Sequence, residues 1–98
     1  MSRPIKYEKQ EILKHALELS REIGYQSVRR EALAVAAGTS TGTISRYFGT
    51  MVQLKRAIMG AAVANRDLVV LAQGLAAGDS RAKSASLELK RKSLGALL

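Results

Sequence analysis

The chain has 98 residues, a formal net charge of +8 and no cysteine, which excludes disulfides, thiolate metal sites and cysteine nucleophiles. Apolar residues make up 47% of it, yet only four positions are aromatic, so the core must be built from Ala, Leu, Ile and Val, side chains that suit close helix packing. The single proline stands at position 4 and apolar-polar alternation is weak, so an all-α fold of one small core is expected.

From about Tyr7 to Ile23 the residues Ile12, Leu13, Ala16, Leu17, Ser20 and Ile23 recur at three- and four-residue steps among charged neighbours. This predicts an amphipathic first helix, stopped by Gly24. Ser27 is a candidate N-cap for a second helix from Val28 to about Ala36, with Leu33 and Ala34 facing inward. The stretch Ala37-Gly38-Thr39 reads as a break, after which Ser40 or Thr41 caps a short third helix through Ile44 to about Phe48. Gly49 ends it. Thr50-Met51-Val52-Gln53 has the form of a capping box, opening a fourth helix with Leu54, Ile58, Ala61 and Ala62 on one side.

After Asn65 an Ala- and Leu-rich segment places Leu68, Leu71, Ala72 and Leu75 on one helical face, and Gly78-Asp79-Ser80 breaks it. A last stretch from about Arg81 to Leu98 sets Leu87, Leu94, Leu97 and Leu98 on a stripe with Lys90, Arg91 and Lys92 outside it. That is many apolar side chains for so short a chain, so a second copy is expected to cover part of them.

Charge placement is more informative than its total. Between Glu31 and Asp67 there is no acidic residue, while Arg46, Lys55, Arg56 and Arg66 fall there. Such a stretch suits a polyanion, whose condensed counterions are released as its phosphates are neutralised. Met1 to Lys14 is interrupted by charges, and the longest apolar runs, near Leu68 to Ala72, are too short to span a bilayer. A cytoplasmic, nucleoid-associated protein without a membrane partner is therefore expected. His15, the one histidine, has no partner at metal or catalytic spacing, so neither a metal, a cofactor nor an enzyme is expected.

With Gly38 as the turn residue, Ala34 lies four positions before it and Ile44 six after it, the spacing of a bihelical DNA-reading unit between Ser27 and Phe48. Two short helices crossing steeply need a small residue at their closest approach, a turn residue tolerant of positive φ, and an apolar plug. Ala34, Gly38 and Ile44 supply these in turn. Held in that way, the second helix would present its N-terminal half to the major groove.

The resemblance goes beyond spacing. Ile12-Leu13, Ala16-Leu17, Gly24-Tyr25, Ser27-Val28, the run Ala37-Gly38-Thr39-Ser40-Thr41-Gly42-Thr43-Ile44, Tyr47-Phe48 and Leu54 together resemble the DNA-binding domain of the tetracycline-repressor (TetR) family. That resemblance implies an all-α, three-helix domain with a helix-turn-helix over residues 1–56, followed by a helical dimerisation segment over 57–98. It also implies that Lys9, Ser27, Ser40, Thr43 and Tyr47 touch phosphates, and that Arg29, Thr41, Gly42, Ser45 and Arg46 approach bases. Arg46 is the one long bidentate donor on the short helix and suits guanine O6 and N7.

Two departures carry consequences. Ser45 stands where family members often have an aromatic residue and Met51 where they often have a phosphate-binding lysine, so backbone affinity is expected from Arg30, Lys55 or Arg56. Family members also usually add a sizeable effector-binding and dimerising domain. About forty residues follow the fourth helix here, so a short form with no small-molecule effector is expected. The leading expectation is a transcriptional regulator, a repressor on a palindromic operator of double-stranded DNA, acting as a homodimer. The rivals are an architectural, replication or partition factor using the same module, and a protein-interaction module.

Overall fold

The computed structural model describes residues 5–96, with side chains for 8–95. Helix α1 (Ile5–Ile23) buries Ile12, Ala16, Leu17 and Ser20 on one face. Ser20 can enter the core because its hydroxyl donates to the Ala16 carbonyl at 2.6 Å, satisfying a group that would otherwise be costly to bury. The helix stops at Gly24, and a 3₁₀ turn, Tyr25–Ser27, follows.

Helix α2 (Arg30–Ala37) starts later than the sequence suggests, and Ser27 does not cap it. Val28 is fully buried, and its backbone at φ −68°, ψ 125° is extended. Anchoring that side chain requires non-helical backbone, which delays the helix until Arg29, an N-cap without a side-chain capping bond. The other end is a Schellman closure. Gly38 lies in the left-handed region at φ 68°, its amide meets Val35, and the Thr39 amide reaches back to the Ala34 carbonyl at 2.9 Å.

Helix α3 (Thr41–Phe48) is capped by Ser40, and helix α4 (Met51–Ala64) opens with the full capping box, Gln53 amide to Thr50 Oγ1 and Thr50 amide to Gln53 Oε1. Helices α5 (Leu68–Ala77) and α6 (Ser80–Lys83) are each capped by an aspartate, Asp67 and Asp79. Helix α7 (Leu87–Ala96) completes the order; the described residues form no strand. The last stretch of the sequence holds two helices, α6 and α7, separated by residues 84–86.

Helix α4 touches α1, α3, α5 and α6, and α7 lies on α5. One buried cluster runs from Ile12 and Leu33 through Ile44, Leu54 and Ile58 to Val70, Leu71, Ala82 and Leu89. The division drawn between residues 56 and 57 falls inside α4. Two polar links join the N-terminal helices to α5. Arg21 pairs with Asp67, and the Gln73 side chain accepts from the Tyr25 amide while donating to the Ser20 carbonyl, both at 2.9 Å.

The chain covers more of its leucines than composition suggests. Leu71 and Leu89 are buried, and Leu68 and Leu75 pack partly against the core. On α7 the inward residues are Leu89 and Ser93, whereas Leu87 and Leu94 are 61% and 53% exposed. The stripe expected to be covered by a second copy is thus exposed at Leu87 and Leu94; its remaining members, Leu97 and Leu98, lie outside the described residues.

Two helical glycines separate packing from propensity. A Cβ on Gly74 would meet Met59 Sδ at 2.7 Å and Ala82 Cβ at 2.8 Å, while one on Gly95 would meet nothing within 4 Å. Gly74→Ala is expected to lower stability by about 1–3 kcal/mol through overpacking. Gly95→Ala should raise it by roughly 0.5–1 kcal/mol through helix propensity. Urea melts of the two variants check the sign of each change.

Candidate nucleic-acid interface

The pair α2 and α3 builds a surface by burying its other side. Leu33, Ala34, Ile44 and Phe48 are all in the core, and Ile44 and Phe48, four apart, define the inward face of α3. Thr41, Gly42, Ser45 and Arg46 are consequently exposed. Thr43 and Tyr47 lie half-buried along the margins. Of the residues ascribed to base contact, Arg29 is exposed just before α2, and the other four form the outer face of α3.

At the start of α3 the Ser40 hydroxyl accepts from the Thr43 amide at 3.1 Å and lies 3.0 Å from Thr43 Oγ1. The cap leaves the first-turn amides of Thr41 and Gly42 without intrahelical partners, at the positive end of the helix, where an anion is favoured. No acidic residue of this segment opposes that field.

The far end of α3 is held from three sides. Arg30, half-buried, donates from one terminal nitrogen to the Gly49 carbonyl at 3.0 Å, and its Nε is buried without a protein hydrogen bond. That contact ties the start of α2 to the junction of α3 and α4, so Arg30 is engaged with the protein's own backbone. Lys9 places its ammonium 5.5 Å from the centre of the Phe48 ring, and Arg46 lies 5.6 Å from that of Tyr47. The Tyr47 hydroxyl donates to Oε2 of Glu8 on α1. That carboxylate pushes the tyrosine's ionisation upward, with burial adding to it, so the hydroxyl is a donor at neutral pH.

Glu8 is the residue at this surface that sequence reasoning missed. It stands 39 positions before Tyr47, and no spacing pattern connects them. Together with Glu11 it lines a polar crevice of about 410 Å³ shared with Gly38, Thr39, Thr43 and Arg46. Ser27 is exposed at the end of the 3₁₀ turn, Lys55 is half-buried on α4 and Arg56 is exposed beside it. Among the described residues no group of three His, Cys, Asp or Glu side chains is placed to hold a metal ion, and no helix is long and apolar enough to cross a membrane.

Residues 12–58, just under half of the chain, match the bacterial regulatory proteins of the tetR family. Residues 12–58 are a TetR-family helix-turn-helix DNA-binding domain. The family is one of DNA-binding transcriptional regulators. No curated protein and no solved structure gave a match. The matched segment opens at Ile12 and closes at Ile58, both buried, so it spans the helices that pack around the TetR-type turn. Lys9 and Glu8 lie before it.

The first turn of α3 is capped by a single hydroxyl, that of Ser40. Ser40→Ala is expected to cost about 1 kcal/mol of stability, the usual worth of an N-cap. Thr43→Ala leaves the capping oxygen in place and should cost less than half as much. Thermal melts of the two variants distinguish them, and equal losses would show that the Thr43 side chain, rather than its amide, carries the cap.

Proposed function

We propose that the protein is a transcriptional repressor that binds a palindromic operator in double-stranded DNA as a homodimer, acting in the cytoplasm at the nucleoid. The observation that carries this reading is the outer face of α3, where Thr41, Gly42, Ser45 and Arg46 are exposed together on a helix whose opposite face is locked in the core. In the major groove such a face brings Arg46 to base edges, while Ser27, Ser40, Thr43, Tyr47, Lys9 and Lys55 flank it toward phosphates. Arg29, exposed ahead of α2, is the second base-reading candidate. Arg30 acts through Gly49, by positioning the end of α3. Occupying a promoter in this way blocks access to it.

Arg46→Ala and Thr43→Ala are expected to fail differently. Loss of a bidentate base reader should cost roughly 1–3 kcal/mol on the operator and little on random DNA. Loss of a phosphate ligand should weaken both in similar proportion, because phosphates carry no sequence information. Anisotropy titrations on the two DNAs over a range of salt test both, and log affinity should fall by about 0.9 for each phosphate neutralised per log unit of salt. Affinity that does not change with salt would remove DNA as the partner.

The dimer is supported by Leu87 and Leu94, seven residues apart on one face of α7 and more than half exposed. Pairing α7 with its copy would cover them, and two recognition helices about 34 Å apart would meet successive major grooves. Leu94→Asp should convert a dimer to a monomer in sedimentation at micromolar concentration and leave the melting of the monomer's own core little changed. A wild-type protein that sediments as a monomer with and without DNA would contradict the homodimer.

A further inference from the structure

We propose that Glu8 is an internal competitor of DNA: in the free protein its carboxylate holds the Tyr47 hydroxyl that a backbone phosphate takes in the complex. This rests on the reading of α3 and its margins as the DNA interface. A carboxylate oxygen and a phosphate oxygen are chemically alike as hydrogen-bond acceptors, each anionic and each suited to a short charge-assisted bond. Tyr47 has one O–H to donate, and Glu8 Oε2 receives it. One acceptor excludes the other from that donor.

The surroundings make the substitution more than a single contact. The Arg46 guanidinium lies beside the same ring, and Glu8 and Glu11 face the crevice that Arg46 and Thr43 also line. An approaching phosphate therefore meets a donor already engaged and negative charge at close range. Two like charges at an interface oppose each other unless one moves away. Binding requires the Glu8 side chain to rotate off Tyr47. Its position in α1 leaves the α3 backbone unchanged when it does so, since α3 is held by its own cap, by Ile44 and Phe48 in the core, and by Arg30 on Gly49.

Glu8 precedes the segment matched to the family, and Tyr47 lies within it. The consequence of their contact is a lowered affinity for every duplex. Random sites, weak and numerous, are emptied by such a factor, whereas an operator bound far below its working concentration stays filled. Glu8 sets that threshold through the Tyr47 hydroxyl.

The test uses anisotropy of a labelled random-sequence duplex at low salt with wild type, Glu8→Gln, Glu8→Asp, Tyr47→Phe and the double variant Glu8→Gln/Tyr47→Phe. Glu22→Gln, an exposed carboxylate at the other end of α1, reports what a distant charge alone contributes. Glu8→Gln should bind about fivefold tighter, the scale of one exposed ionic contact. Glu8→Asp, which keeps the charge but shortens the reach, should also bind tighter than wild type. In the Tyr47→Phe background the Glu8→Gln gain should shrink to that of Glu22→Gln. No gain, a gain of the same size with and without the hydroxyl, or a Glu8→Asp variant that binds like wild type would each overturn the proposal. Wild type and Glu8→Gln both failing to bind the duplex would instead overturn the DNA interface itself, and the proposal with it. Circular dichroism of each variant confirms that α1 is retained.

Discussion

An eight-residue helix in water is mostly unfolded, because one turn must be fixed before any further residue gains a hydrogen bond. Helix α3 has that length. It persists because Ile44 and Phe48 are buried against the same cluster as Leu33 and Ala34. The approach angle is set by the Schellman closure at Gly38, where φ is 68°, a conformation that a side chain with Cβ adopts at a cost of about 1 kcal/mol or more. With both ends and one face committed in this way, the outer residues have no freedom of placement beyond their own rotamers. The base-reading role proposed for this face needs that rigidity, since a misplaced donor loses its contact.

The helices after α4 extend this rigidity. Asp67 accepts the Val70 amide as the cap of α5 and, with its other oxygen, pairs with Arg21 of α1. Its side chain is 7% exposed and that of Arg21 43%, so the pair is asymmetric: the carboxylate is desolvated and the arginine side chain is partly in water. Little net stability follows from such a pair. Its effect is to fix register, because an unpaired buried carboxylate would be costly wherever else α5 were placed. Arg66, at φ 56°, takes the strain of the turn that delivers Asp67 to both partners, a conformation non-glycine residues avoid. Gln73 adds a second link from α5 to the Ser20 carbonyl and the Tyr25 amide. The helix-turn-helix and α5 are thereby packed as one body.

What was legible in the sequence was local. The stop at Gly24, the Gly38 break, the Ser40 cap and the Thr50-Gln53 capping box all depend on residues within five positions of one another, and the run from Ala37 to Phe48 resembled a known family on that account. What was not legible depends on distant partners. Ser27 has the chemistry of a cap, but the burial of Val28 keeps the backbone extended and moves the helix start to Arg30. Arg30 reads as a phosphate ligand, and nothing local announces that the fold brings the Gly49 carbonyl within 3.0 Å of it. The leucines of the last helix share a periodic stripe, but the face that α7 buries carries Leu89 and Ser93. Periodicity defines a face and says nothing about which face finds a neighbour.

Charge shows the same limit most sharply. Along the chain, residues 32–66 carry no acid, which suggests a uniformly positive surface. In the fold, α1 crosses the end of α3 and sets two consecutive residues of opposite sign against two consecutive aromatic residues, Glu8 on Tyr47 and Lys9 over Phe48. The net charge of +8 acts over long distances only at low ionic strength, since at physiological salt it is largely screened beyond about 8–10 Å. Within that distance the pattern decides, and here it alternates. Net charge and the close pattern of charge at the end of α3 are thus separate properties of this chain, the first written in its composition and the second in where α1 lies.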